Sequence, residues 1–170
     1  MGGTLILTSI FLSTILWGDL ENRYLWVALG VTLLFGFIGW VDDLYKIKLN
    51  SSDGLSALNK IFWQSIIALS AGFYLFFTST SLDEISLIVP FLKDISLPLG
   101  LGFILLTYLV VLASSNAVNL TDGLDGLATG LVAISCLTFS AIAYATSRYD
   151  FSNYLNIVFV PKSEEIFVFA

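Results

Sequence analysis

The sequence predicts an all-α polytopic membrane protein, with five transmembrane helices plus the start of a sixth in one membrane domain over residues 1–170. Three observations carry this. Hydrophobic residues make up 57% of the chain and charged residues 12%, about half the charged share of an ordinary globular chain. The apolar residues gather into five runs with few or no charges, near the ~17–25 residues a bilayer-crossing helix needs. Tyrosines and tryptophans stand at the ends of those runs, where membrane proteins place interfacial anchors.

The same composition excludes several classes. The net charge is −6, with no basic patch to meet nucleic-acid phosphates. The seven Lys and Arg are scattered, which argues against a basic helix lying on the membrane surface. A single cysteine, Cys136, forbids an intramolecular disulfide and reads as a small buried hydrophobe. There is no histidine, so the commonest general base is missing and acid–base chemistry falls to carboxylates or lysines. The amino terminus has no basic region and no small-residue cleavage signal, and does not read as a signal peptide.

The first span, residues 4–17, is short and ends on Trp17. The second, 24–41, carries Tyr24 and Trp26 at one end and Trp40 at the other. Its Gly30, Gly36 and Gly39 offer surfaces for close helix approach. Asp42 and Asp43 follow, read as sitting at the helix end, where the partial negative charge disfavours carboxylates. Lys46 and Lys48 could neutralise them locally. The alternative is an acid–base or divalent-cation site, because Mg²⁺ prefers hard carboxylate oxygens. A hydrophilic loop over 44–60 is expected, with Ser56 capping the next helix. Lys60 is either an interfacial anchor or a phosphate contact.

The third span, 61–80, has Gln64 as its one strongly polar interior residue, expected to face other helices. A loop or short amphipathic piece over 81–96 leads to the fourth span, 97–113, opened by Pro98 at a helix start. The fifth, 127–145, begins with a small-residue face of Gly126 and Gly130. The closing apolar residues 166–170 look like the start of a sixth span.

Between the fourth and fifth spans lies Asn116-Ala-Val-Asn119-Leu-Thr-Asp122-Gly-Leu-Asp125-Gly126. Such residues are ordinary turn formers, yet two carboxylates three apart with glycines beside them also suit a ligand at a helix start. Because spans alternate direction, the loops after the second and fourth lie on one membrane face. Asp42, Asp43, Asp122 and Asp125 are therefore expected to converge there with Asn116 and Asn119, as in a metal–phosphate site. Lys46, Lys48 and Lys60 fall on this face, and Arg23, Lys93, Arg148 and Lys162 on the other. The lysine density of the 42–60 segment favours the acidic face as cytoplasmic.

The run Asn116-Ala-Val-Asn-Leu-Thr-Asp-Gly-Leu-Asp-Gly-Leu-Ala128 resembles the signature of the polyprenyl-phosphate sugar-1-phosphate transferases. Its wording is nearest the branch that takes UDP-N-acetylmuramoyl-pentapeptide. Met1-Gly-Gly-Thr-Leu, Gly36-Phe-Ile-Gly-Trp-Val-Asp-Asp-Leu-Tyr-Lys46, and Gly54-Leu through Lys60 to Gln64 resemble further family motifs in the right order. The resemblance implies Mg²⁺-dependent phosphoryl transfer in the bacterial inner membrane, with undecaprenyl phosphate as acceptor and the active face cytoplasmic. It implies Asp42, Asp43 and Asp122 as catalytic residues, with Asp42 and Asp43 toward the metal. Asn116, Asn119, Gly123, Leu124, Asp125 and Lys60 would bind substrate. The bilayer, and a second copy of the chain, stand among the expected partners.

The family has about ten spans and a later aspartate motif that ligates magnesium, which this sequence does not contain. The expectation is a fragment inactive alone. Two other readings stay open: a sister transferase using UDP-N-acetylglucosamine, and a non-catalytic membrane subunit.

Overall fold

A computed structural model of the chain describes residues 2–49, 54–88 and 96–169. Its order is α1 (Gly2–Trp17), α2 (Arg23–Leu49), α3 (Ala57–Thr78), a 3₁₀ turn (Asp83–Ile85), β1 (Ser86–Ile88), β2 (Ser96–Pro98), α4 (Gly102–Thr121), α5 (Leu127–Ser147), α6 (Tyr149–Tyr154) and α7 (Glu164–Phe169). Among the described residues four helices, α2 to α5, are long and apolar enough to cross a membrane. The first run forms a helix of only 16 residues. The residues read as the start of a sixth span form a six-residue helix, α7, folded back against α5, α2 and α1.

Water does not drive helices together within lipid, so close packing and interhelical hydrogen bonds must. The face of α3 shows how. Gln64, Ala68, Ala71 and Gly72 are its buried residues, and their spacing places them on one stripe. Three are small, so the α3 and α4 backbones approach closely; a Cβ at Gly72 would stand 3.3 Å from the Ile104 carbonyl oxygen. On α2, Gly36 meets Leu7 of α1, whereas a Cβ at Gly30 or Gly39 would meet nothing within 4 Å. The expected small-residue face of α5 is likewise open at Gly130. The outer surfaces of α4 and α5 expose large apolar side chains, Leu105 and Leu137 among them, as lipid-facing surfaces do.

Several expected boundaries move, each for a local reason. Helix α2 does not end at Val41 but runs to Leu49, so Asp42 and Asp43 lie within it. No glycine or proline interrupts residues 42–49, Lys46 pairs with Asp42 one turn on, and Lys46 and Lys48 suit the negative end of the helix. The expected 44–60 loop shrinks accordingly, and its residues 50–53 lie outside the described ones. Ser56 caps α3 as expected, its hydroxyl accepting from the Asn59 N–H.

The loop expected over 81–96 contains a β-hairpin arm. β1 pairs antiparallel with β2, Ser86 opposite Pro98 and Ile88 opposite Ser96, while residues 89–95, with Lys93 and Asp94, lie outside the described ones. Pro98 is therefore a strand end rather than a helix start. Gly100, at φ +52°, turns the chain into α4. At its other end α4 overruns Ala113 as far as Thr121. Ser114 donates to the Val110 carbonyl, Asn116 to Leu112 and Thr121 to Val118, so these polar side chains are satisfied by the helix instead of breaking it.

Candidate functional site

The ends of α2, α3 and α4 at the Asp42 side enclose a cavity of about 310 Å³ lined by Asp42, Lys46, Gly54, Leu55, Ala57, Lys60, Ile61, Asn116 and Asn119. Span parity thus brings together residues more than 70 positions apart. Asp42 is 9% exposed. Its two carboxylate oxygens are engaged separately: Oδ2 with Lys46 Nζ at 2.8 Å, and Oδ1 with the Leu55 backbone N–H at 2.8 Å. A buried carboxylate needs such partners, because desolvating an unpaired charge costs several kcal/mol, about as much as a whole domain's net stability.

Across the cavity, Asn116 Nδ2 donates to Gln64 Oε1 at 3.0 Å and to the Leu112 carbonyl at 2.8 Å. Both acts use the amide nitrogen. The Asn116 oxygen is left as the group that can accept from a ligand. Gln64 is 3% exposed and faces another helix, as its place in the sequence predicts. Its role as the anchor of Asn116 was not legible, since nothing in either run fixes which residues of α3 and α4 meet.

The remaining expected site residues stand elsewhere. Asp43 is exposed, since the next residue of a helix points about 100° away. Asp122 forms the C-terminal cap of α4, and Gly123, Leu124 and Asp125 follow in an exposed turn before α5. Asp122 and Asp125 thus precede the fifth helix, because α5 begins at Leu127, where its apolar run places it, after Gly126. None of these five residues lines the cavity.

The expected convergence of four carboxylates is not found. Among the described residues no group of three or more His, Cys, Asp or Glu could hold a metal ion. The one carboxylate among the described residues of the cavity is already held by a lysine and an amide. The donor set as arranged does not fit magnesium. It fits an anion better: Lys46 and Lys60 against Asp42 leave the described lining with one net positive charge, and two carboxamides supply neutral contacts.

A multi-pass helical membrane protein with a polar, lysine-bearing cleft at one membrane end is the class that fold and cleft define. Residues 25–161 match the glycosyl transferase family 4 profile. The chain belongs to this family, whose chemistry is the transfer of a phospho-sugar to a polyprenyl phosphate.

Proposed function

We propose that the donor is UDP-N-acetylmuramoyl-pentapeptide, the acceptor undecaprenyl phosphate, and the products lipid I and UMP. An oxygen of the acceptor phosphate forms a new bond to the sugar-bearing phosphorus of the donor. The bond from that phosphorus to the bridging oxygen breaks, and UMP leaves with the electron pair. The observation that carries the proposal is the cleft itself. It gathers Asp42, Lys46, Lys60, Asn116 and Asn119 from three helices within the family match.

Each residue has a task in this reading. Two anionic substrates repel each other, and Lys60 and Lys46 offset that repulsion. Asp42 orients the acceptor phosphate or takes its proton, with Asp43 beside it. Asn116 and Asn119 hydrogen-bond the donor. Asp122, Gly123, Leu124 and Asp125 hold the uridine from the rim, in a turn whose exposure leaves its backbone open to a ligand. Mg²⁺ belongs to the proposal only as an ion carried by substrate phosphates, which usually complete its shell with water and one or two carboxylates. The bacterial inner membrane, with this end cytoplasmic, is the location that fits a nucleotide donor.

The test is UMP release in membranes carrying the protein, with undecaprenyl phosphate and Mg²⁺, comparing the two UDP-sugars. Release that requires UDP-N-acetylmuramoyl-pentapeptide and disappears in Asp42→Ala is expected. Faster release with UDP-N-acetylglucosamine would move the chain to the sister specificity. Release with neither donor would leave it a fragment inactive alone or a non-catalytic membrane subunit.

A further inference from the structure

Residues 54 and 55, between the end of α2 and the cap of α3, touch the cleft in an unusual way. The Leu55 N–H donates to Asp42 Oδ1 at 2.8 Å. For that bond to form, the backbone at residue 54 must lie directly against the Asp42 side chain. A Cβ at Gly54 would stand 2.9 Å from Asp42 Cγ and 2.8 Å from Lys46 Cε, with the Asp42 Oδ1 closer still. Real Cβ atoms essentially never come within 3.0 Å of such neighbours. The glycine is required for space and not for a left-handed backbone, which the structure has at Gly100 and Gly126.

We infer that Gly54 and the Leu55 amide are positioning residues of the cleft, a backbone strap that holds the Asp42 carboxylate between Leu55 and Lys46. The inference rests on the reading of Asp42 as a site residue. The atoms a new Cβ would strike are the ends of two side chains on α2, not backbone. An added methyl group therefore displaces the carboxylate and the lysine while the helices stay where they are. The strap also ties the Asp42 turn of α2 to the start of α3, where Ser56 caps the helix and its carbonyl accepts from the Lys60 backbone N–H. One contact so fixes the backbone positions of Asp42 and Lys60 relative to each other. A strap made of backbone does this with less freedom than a second side chain, because a peptide N–H has no rotamers to lose.

The test reads the strap itself before any reaction. In the detergent-solubilised full chain, amide hydrogen exchange is measured at Leu55 in the wild type, Gly54→Ala and Asp42→Ala. Both variants are expected to exchange at Leu55 on the order of ten-fold faster, as loss of one hydrogen bond to a charged acceptor implies. Protection in the body of α3 should be unchanged. Wild-type exchange at Leu55 in Gly54→Ala overturns the inference. So does loss of protection throughout α3, which would make Gly54 a folding residue. These readouts need no turnover, so failure of the proposed reaction leaves them standing. Where UMP release is measurable, Gly54→Ala should lower kcat more than it raises KM. The Gly54→Ala, Asp42→Ala double variant should be no slower than Asp42→Ala alone, since a residue acting through another gives non-additive effects. Additive losses in that cycle would overturn the positioning role.

Discussion

The two ends of the helix bundle are built from similar residues and differ in what their charges are doing. At the hairpin end, polar groups join segments far apart in the chain. Arg23 pairs with Glu84, Asn22 donates to the Lys162 carbonyl at 2.8 Å, and the Asp19 N–H donates to Glu165 at 2.7 Å. Thr80 gives Glu84 both its hydroxyl and its N–H. At the cleft end, the one ion pair among the described residues lies within a single helix, Asp42 with Lys46, and Lys60 and Asn119 line open space. One end spends its polar groups on closure of the fold. The other holds them apart around a cavity, which is what a binding site requires.

The largest effect that would test this contrast is Asp42→Ala. Loss of a positioned acid or base costs about 10²–10⁴-fold in rate, so UMP release should fall by that order while the melting temperature moves little. A variant as active as wild type would remove the cleft from the reaction. Next is Gln64→Leu, which takes the buried acceptor away from Asn116. It should destabilise by about 1–3 kcal/mol and weaken donor binding, read as a raised KM with kcat nearly kept.

The hairpin end should answer to pH instead. Burial alone would raise the Glu84 carboxyl, but the Thr80 hydroxyl and amide, the Tyr24 hydroxyl and the Arg23 guanidinium outweigh it and hold it below its ordinary value. A carboxylate lowered in the folded state adds stability that is fully present above its unfolded value of 4.5 and is lost as pH falls through the lower folded value. Thermal stability should therefore decline from about pH 5 downward, and Glu84→Gln should flatten that decline. An unchanged pH profile in the variant would break the contrast. With side chains 23% exposed on both partners, the Arg23–Glu84 pair should contribute only about 1 kcal/mol.

An effect of similar size is expected at Gly126→Ala. The residue has φ +81° with open space around it, so the change costs only the left-handed backbone conformation, about 1–2 kcal/mol. Thermal melting measures it, and donor affinity should hold if the turn's role is to present backbone.

The spans were legible because hydrophobic length is a property of the sequence alone. Helices α2 to α5 fall where four of the apolar runs predict them, and parity put Asp42 on the side of Asn116 and Asn119. What the residues could not reveal is where a helix ends when polar side chains can bond to it. Asp42, with Lys46 one turn on, and Asn116, with the Leu112 carbonyl one turn back, look like loop residues by type. Each is satisfied by its own helix, so α2 and α4 extend past them. That extension turned Asp43 outward and left Asp122 and Asp125 in the turn beyond.

The sequence by itself determined the membrane class, the pairing of the two polar stretches on one face, and the family resemblance, because these depend on hydrophobic length, on counting and on residue identity. Only the tertiary structure decided which acid is buried, that it is held by a lysine and a backbone amide, and that Gly54 is needed to let that amide approach. Those depend on distances of tenths of an ångström between groups that meet only once the chain has folded, as the Leu55 N–H and the Asp42 carboxylate do.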